Sequence, residues 1–216
     1  MNDHIYESLN AYAAYMEEVK RRLDVVSRVS GKLESGSSLT GYVETDIDLV
    51  YLQLRKIIEL IMFACVVANK SAGLVLNKTL RKGYEIQKIK AELQRFNLNF
   101  FPSPKVHLGV DASGTHQVDD LKREDQEFMT EDELFKAYGV AGNYLHSQRE
   151  YQYGKSGEQR EVLRKAIGQV NSLACLLDHH WTTVTEDWLF SVVLNRDSVK
   201  TTSVALLVRD DTLPDQ

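Results

Sequence analysis

The scarcity of proline is the feature that most limits how this chain can fold. Only Pro102, Pro104 and Pro214 are present, so residues 1–101 and 105–213 contain none. Proline inside a helix removes a backbone hydrogen bond and clashes with the preceding turn. Long helices are therefore open to this chain, and Pro102 with Pro104 marks the clearest break between them.

Apolar spacing predicts five helices, at about residues 3–30, 46–69, 83–96, 131–147 and 157–181. The first helix carries a heptad stripe, formed by Ile5, Leu9, Tyr12, Met16, Val19, Leu23 and Val26. Such a stripe packs either on the core of its own chain or against its twin in a dimer. The sequence leaves both arrangements open.

Two helix starts carry capping signals. Thr130 and Glu133 have the spacing of a capping box, and Thr45 with Asp48 has a variant of it. Within the fourth helix Gly139 and Gly142 stand three residues apart, which predicts a close approach of another backbone.

The C-terminal region changes to a period of two, which is typical of strands. Alternation near residues 187–195 and 199–209 predicts a β-hairpin, and a smaller hairpin is expected near 105–118. The predicted fold is mainly α: a single helical bundle of about five helices with a C-terminal β-hairpin. We expect one domain over 1–216, with a long helix at 1–30, a helical core at 45–181 and the hairpin at 187–209.

Composition excludes several classes of protein. Of 216 residues, 43% are hydrophobic and 26% charged, which is ordinary for a globular domain. The net charge of −5 argues against a surface that grips nucleic acid as a whole. The longest apolar stretch, 57–68, is interrupted by Glu59 and is too short to span a bilayer. The first residues, MNDHIYESLN, have no basic region followed by an apolar run, so we expect no secretory signal and a cytoplasmic protein without a cofactor.

Charge is unevenly distributed along the chain. Segment 70–95 has seven basic and two acidic residues, whereas 111–133 has two basic and nine acidic ones. These runs form solvated faces, complementary patches within or between subunits, or a phosphate-binding surface on the basic side. The candidate binding residues of that last alternative are Lys78, Arg81, Lys82, Lys88 and Lys90.

Few residues have the spacing of a reactive site. None of the six histidines lies in an HExxH or HxxxH pattern, and the two cysteines are far apart, so no metal site is expected. Arg55 and Glu59 stand one helical turn apart and are able to pair. That pair is either a structural ion pair or part of a functional site. His146 directly follows the string YGVAGNYL, which is unusually rich in glycine and tyrosine. Arg55, Glu59 and His146 are the candidate catalytic residues.

The strings YLQLRKIIELIMFACVVANK (Tyr51–Lys70), NLNFFPSP and YGVAGNYLHS resemble uncharacterised bacterial proteins of phages and other mobile elements, including integron cassettes. The resemblance covers most of residues 45–210 and implies no particular activity. More distantly, the arrangement is similar to the HEPN superfamily of helical bundles, which bind RNA or nucleotides and often cleave RNA as dimers.

In the HEPN motif, four to six residues separate an Arg from the His that follows it. With His146 as the histidine, the positions for that Arg hold Gly139, Val140 and Ala141. The resemblance then implies a non-catalytic copy, or one that borrows a cation such as Arg55 or Lys136.

Three functions follow from the sequence as hypotheses, and the third of them is a small-ligand sensor with a pocket among the tyrosines and tryptophans of the bundle. The leading one is a non-enzymatic binding or assembly module of a mobile element that works as a homodimer or together with a protein partner. The alternative is an RNA-binding or RNA-cleaving defence protein of HEPN type.

Overall fold

Five helices and five strands form the described part of the chain. The computed structural model describes residues 3–75, 85–146, 156–196 and 200–209. The helices are α1 (Asp3–Glu34), α2 (Val43–Lys70), α3 (Ile86–Phe96), α4 (Glu131–Leu145) and α5 (Ser156–Asp178). The strands are β1 (Ser103–Val110), β2 (His116–Asp120), β3 (His179–Thr183), β4 (Trp188–Val193) and β5 (Ser203–Val208). A mainly α fold is therefore confirmed.

Side-chain hydrogen bonds stabilise the backbone at the start of two helices. The capping box of α4 forms as predicted: the Thr130 hydroxyl accepts from the Glu133 amide, and the Glu133 carboxylate accepts from the Thr130 amide. The predicted box at Thr45 and Asp48 is wrong, because α2 begins earlier, at Val43. Asp46 instead accepts hydrogen bonds from the Leu39 and Thr40 amides and so fixes the loop before the helix.

The strands form one antiparallel sheet in the order β2-β1-β3-β4-β5. The predicted C-terminal hairpin is present as β4 and β5, in register from Trp188 opposite Val208 to Val193 opposite Ser203. The smaller predicted hairpin is present as β1 and β2. Strand β3 joins the two hairpins, since it pairs with β1 on one side and with β4 on the other.

The strand content is thus larger than a single hairpin, and this corrects the prediction. The helix expected to reach residue 181 ends at Asp178, and His179 begins β3 directly. His180 and Thr182 alternate with half-exposed neighbours along β3 and are buried. The extended backbone at 179–183 is stabilised by pairing on both sides, with β4 shortly after it in the sequence and with β1 more than seventy positions before it.

The chain divides into two compact units. We call residues 1–17, 61–122 and 177–216 the sheet unit, and residues 18–60 and 123–176 the helical unit. Phe100 and Phe190 are fully buried in the sheet unit, and Leu54 and Leu134 are fully buried in the helical unit. The expectation of one domain over 1–216 stays a prediction.

The heptad stripe of α1 is mostly buried within a single chain. Tyr12, Met16 and Val19 have no exposed surface, and Val26 has 2%. This favours the reading in which the stripe serves the core of its own chain. None of the described helices combines the length and the apolar content needed to cross a bilayer.

Candidate functional site

A polar cluster between α2 and α4 contains two of the three predicted catalytic residues. The Glu59 carboxylate accepts hydrogen bonds from Arg55 Nε at 3.3 Å, from Lys56 Nζ at 2.9 Å and from the Tyr138 hydroxyl at 3.2 Å. Arg55 also lies over the ring of Tyr138, with its Cζ 4.5 Å from the ring centre. The side chain of Glu59 is only 11% exposed, and Arg55 and Lys56 compensate its charge within the helical unit.

The cluster extends along an antiparallel pair of helices. Tyr51 stacks on Tyr144 with ring centres 4.3 Å apart, whereas Glu59, further along α2, meets Tyr138, which comes earlier in α4. Between these two contacts Arg55 reaches Gly142, where an added Cβ would lie 3.1 Å from Nη1. The predicted close approach of another backbone is therefore wrong: a guanidinium lies against Gly142, and an added Cβ at Gly139 would meet nothing within 4 Å.

Tyr51 and Tyr138 both have a raised hydroxyl pKa. Burial raises the pKa of Tyr51 to about 12, with a further contribution from neighbouring Tyr144. Burial and the nearby Glu59 carboxylate also raise the pKa of Tyr138, against the opposing effect of Arg55. A phenol in this state donates a hydrogen bond and is a poor general base at neutral pH.

The arrangement has the chemistry of a brace between two helices. Arg55 and Lys56 compensate the Glu59 carboxylate from within α2, and the charge-assisted hydrogen bond from the Tyr138 hydroxyl joins α4 to α2. The structural reading of the Arg55–Glu59 pair accounts for each of these contacts.

His146 occupies the C-cap position of α4 and is exposed. Among the described residues, no hydrogen bond or ion pair joins it to Arg55, to Glu59 or to Lys136. The structure thus places His146 in the helical unit with the other two candidates without connecting it to them.

The structure describes two of the five candidate basic residues. Lys78, Arg81 and Lys82 lie outside the described residues. Lys88 forms an ion pair with Glu85 at 2.6 Å, both being more than half exposed, and Lys90 is half-buried with a partner of its own.

A second polar cluster, which the sequence analysis missed, is buried in the sheet unit. The Tyr12 hydroxyl lies 2.9 Å from His180 Nε2 and 2.9 Å from Thr182 Oγ1. His180 Nδ1 lies 3.0 Å from the carbonyl oxygen of Leu177. Tyr12, His180 and Thr182 are all fully buried.

Hydrogen-bond chemistry fixes the proton positions in this cluster. A carbonyl oxygen only accepts, so His180 Nδ1 carries the proton and Nε2 accepts from the Tyr12 hydroxyl. Burial lowers the pKa of His180 to about 4, against the opposing hydrogen bond to Leu177. Burial likewise raises the pKa of Tyr12 far above its usual value. The cluster is neutral and satisfied, and it connects α1 to β3.

Histidines also meet on the other face of the sheet. His107 Nε2 lies 2.8 Å from His116 Nδ1, and both side chains are exposed. Lys105 pairs with Asp120 and lies over the ring of Trp181, 4.3 Å from its centre. Across the described ranges, no three or more His, Cys, Asp or Glu side chains are grouped so as to hold a metal ion.

The missed cluster left little trace in the sequence. Tyr12 fits the heptad stripe as an ordinary apolar residue, and His180 follows a long helical pattern. A buried heptad tyrosine does need a hydrogen-bond partner for its hydroxyl, but the sequence does not say which of six histidines supplies it.

The comparisons with known proteins gave no match: no family model, no curated protein and no solved structure is similar to this chain.

Proposed function

We propose that this chain is a non-catalytic assembly module that pairs with a second copy through strand β5. The observation that carries the proposal is the character of this strand, which lies at one edge of the sheet and has β4 as its only neighbour in the described chain. A bare edge strand exposes unpaired backbone groups and is a ready template for pairing with another chain.

The sequence of β5 favours self-pairing. Its six residues, SVALLV, contain neither a charge nor a proline. Leu207 is 40% exposed and Val208 is 63% exposed. Natural sheets protect such edges with charges, proline or bulges, and β5 has none of these devices.

The opposite edge of the sheet provides a contrast within the same molecule. Strand β2 ends in Asp119 and Asp120, both exposed, and its register with β1 shifts between His107 and Gly109. Charge and irregularity oppose pairing there. The two edges therefore differ in the way expected if only β5 associates.

The backbone of β5 presents alternate residues outward. The Arg209 amide donates to the Asp187 carbonyl at 2.6 Å, one step beyond the pair of Trp188 with Val208. Because hydrogen-bonded pairs alternate in an antiparallel ladder, Val204, Leu206 and Val208 direct their backbone groups away from β4. An uncharged strand meeting its own copy in antiparallel fashion makes a closed two-fold dimer.

The test is the oligomeric state of the full chain by sedimentation equilibrium. We expect a dimer for the wild type and a monomer for Leu207→Lys, which places a charge at the paired edge. Leu108→Lys is the matched control, since Leu108 is an exposed leucine (65%) on β1, near the other edge. A wild-type monomer, or a Leu207→Lys dimer as stable as that of the control, would contradict the proposal.

Two predictions from the sequence remain alongside this proposal. The relation to mobile-element proteins and the HEPN-like origin stay predictions. RNA binding or cleavage around His146 is likewise a prediction, and no described contact of His146 favours it over assembly.

A further inference from the structure

A cleft between α1 and α5 lies within the helical unit. It has a volume of about 370 Å³ and is lined by Ser30, Leu33, Glu34, Arg164, Ile167, Gly168 and Asn171. This volume falls in the range of about 300–1,000 Å³ that is common for small-ligand sites. Beyond one end of the cleft, the Arg160 side chain of α5 donates a hydrogen bond to the carbonyl of Gly36, just after the end of α1, at 3.0 Å.

The base of the cleft is apolar and its rim is polar. Leu33 is 9% exposed and Ile167 is 5% exposed, so these two side chains form the floor. Ser30 and Asn171 add a hydroxyl and an amide to the lining. Ligand sites commonly combine an apolar surface with a few polar groups that fix orientation.

Opposite charges line the cleft from its two walls. Glu34 belongs to α1 and Arg164 to α5, and the ion pairs of the described residues do not include one between them. Arg164 instead lies 3.6 Å from Glu161, too far for a good hydrogen bond, with both side chains more than half exposed. Within the described ranges, Glu34 accepts one long hydrogen bond, at 3.3 Å, from the Ser30 hydroxyl. Both charged groups are thus weakly engaged by the protein itself.

Gly168 keeps the cleft open on the α5 side. It is an exposed glycine inside a helix, and an added Cβ would meet nothing within 4 Å. Glycine in a helix interior costs up to about 1 kcal/mol relative to alanine. Neither packing nor backbone geometry requires a glycine at this position, and a large side chain here would take up space in the cleft.

We propose that this cleft binds a small zwitterion, an α-amino acid with an aliphatic side chain. The ligand carboxylate pairs with Arg164, the ammonium pairs with Glu34, and the aliphatic side chain lies on Leu33 and Ile167. A ligand with both charges satisfies both walls at once, which a simple anion or cation does not.

The experiment is isothermal titration of the full chain with L-leucine. We expect binding with one ligand per chain. Two analogues test the two charged groups of leucine separately: 4-methylpentanoate lacks the ammonium and 3-methylbutylamine lacks the carboxylate. Each analogue is expected to bind at least tenfold more weakly than leucine.

Matched variants tie the binding to the cleft. Glu34→Gln removes the charge at constant side-chain length, Arg164→Gln removes it with a shorter polar side chain, and each is expected to weaken leucine binding at least tenfold. Arg28→Gln is the control, because Arg28 is 70% exposed, pairs with Asp24 and does not line the cleft. Gly168→Leu fills the cleft and is expected to abolish binding, whereas Gly139→Leu, at another exposed helical glycine, is expected to preserve it.

Three results would overturn the proposal. These are no leucine binding at millimolar concentration, equal affinity in Arg164→Gln and Arg28→Gln, and equal effects of the two glycine variants. Thermal melts of every variant show that a loss of binding is not a loss of folding.

Discussion

His180 carries one proton fewer in the native protein than in the unfolded chain over a defined range of pH. Its imidazole is buried, donates to the Leu177 carbonyl and accepts from Tyr12, an arrangement that suits the neutral ring. Burial lowers its pKa to about 4, whereas an unfolded histidine titrates near 6.5. Between these values the unfolded state binds the extra proton, so the free energy of unfolding falls as the pH falls.

This residue makes a direct prediction about acid stability. From pH 7 to pH 5, His180 alone is expected to lower the free energy of unfolding by about 2 kcal/mol. His180→Gln keeps one donor and one acceptor but does not titrate. Urea unfolding of both proteins at the two pH values measures the difference, and identical pH dependence would contradict the assignment.

His146 tests the alternative function at the scale of one side chain. It is exposed and is not joined to Arg55 or Glu59 in the part of the chain described. We therefore expect that wild type and His146→Ala leave total RNA equally intact in a timed incubation. RNA cleavage by the wild type that the variant loses would favour the HEPN-type reading instead.

At the scale of elements, α4 provides two glycines in contrasting surroundings. An added Cβ at Gly139 meets nothing within 4 Å, whereas at Gly142 it lies 3.1 Å from Arg55 Nη1. Because both glycines lie in the same helix, replacing either by alanine brings a similar gain in helix propensity. A difference in stability between the two variants therefore reports the difference in packing.

The prediction compares the same substitution at both sites. Gly139→Ala is expected to stabilise the protein by about 0.5–1 kcal/mol, the usual gain of helix propensity. Gly142→Ala is expected to gain less or to destabilise, because the guanidinium must shift away from Tyr138 and Glu59. Urea denaturation of both variants is the measurement, and equal gains would show that Arg55 is not held against Gly142.

Elements were predictable from the sequence where their pattern is local. The five helices and the strands β4 and β5 follow from periodicity over a few turns, and the Thr130–Glu133 cap from a three-residue spacing. Strand β3 was not predictable, because no glycine or proline separates it from α5. Its pairing with β1 joins residues more than seventy positions apart.

The candidate site shows the same limit. The Arg55–Glu59 pair was visible as an i, i+4 spacing, but the contribution of Tyr138 depends on how two distant helices pack. The contact of Tyr12 with His180 spans 168 residues and has no local signal.

For the whole molecule, the question is whether one chain or two make the working unit. The heptad stripe of α1 was one route to a dimer, yet most of its positions are already buried within a single chain. Strand β5, which is uncharged and exposed, is the candidate dimer contact on the described surface. The dimer account therefore rests on the backbone of this one strand.

Hydrogen exchange resolved to single amides tests this account most directly, since it reads the edge itself. If two copies pair through β5, the amides of Val204, Leu206 and Val208 become protected as protein concentration rises through the dimerisation range. Those of Ala205 and Leu207, already bonded to β4, change little. Fast exchange at Val204, Leu206 and Val208 at every concentration would contradict the account.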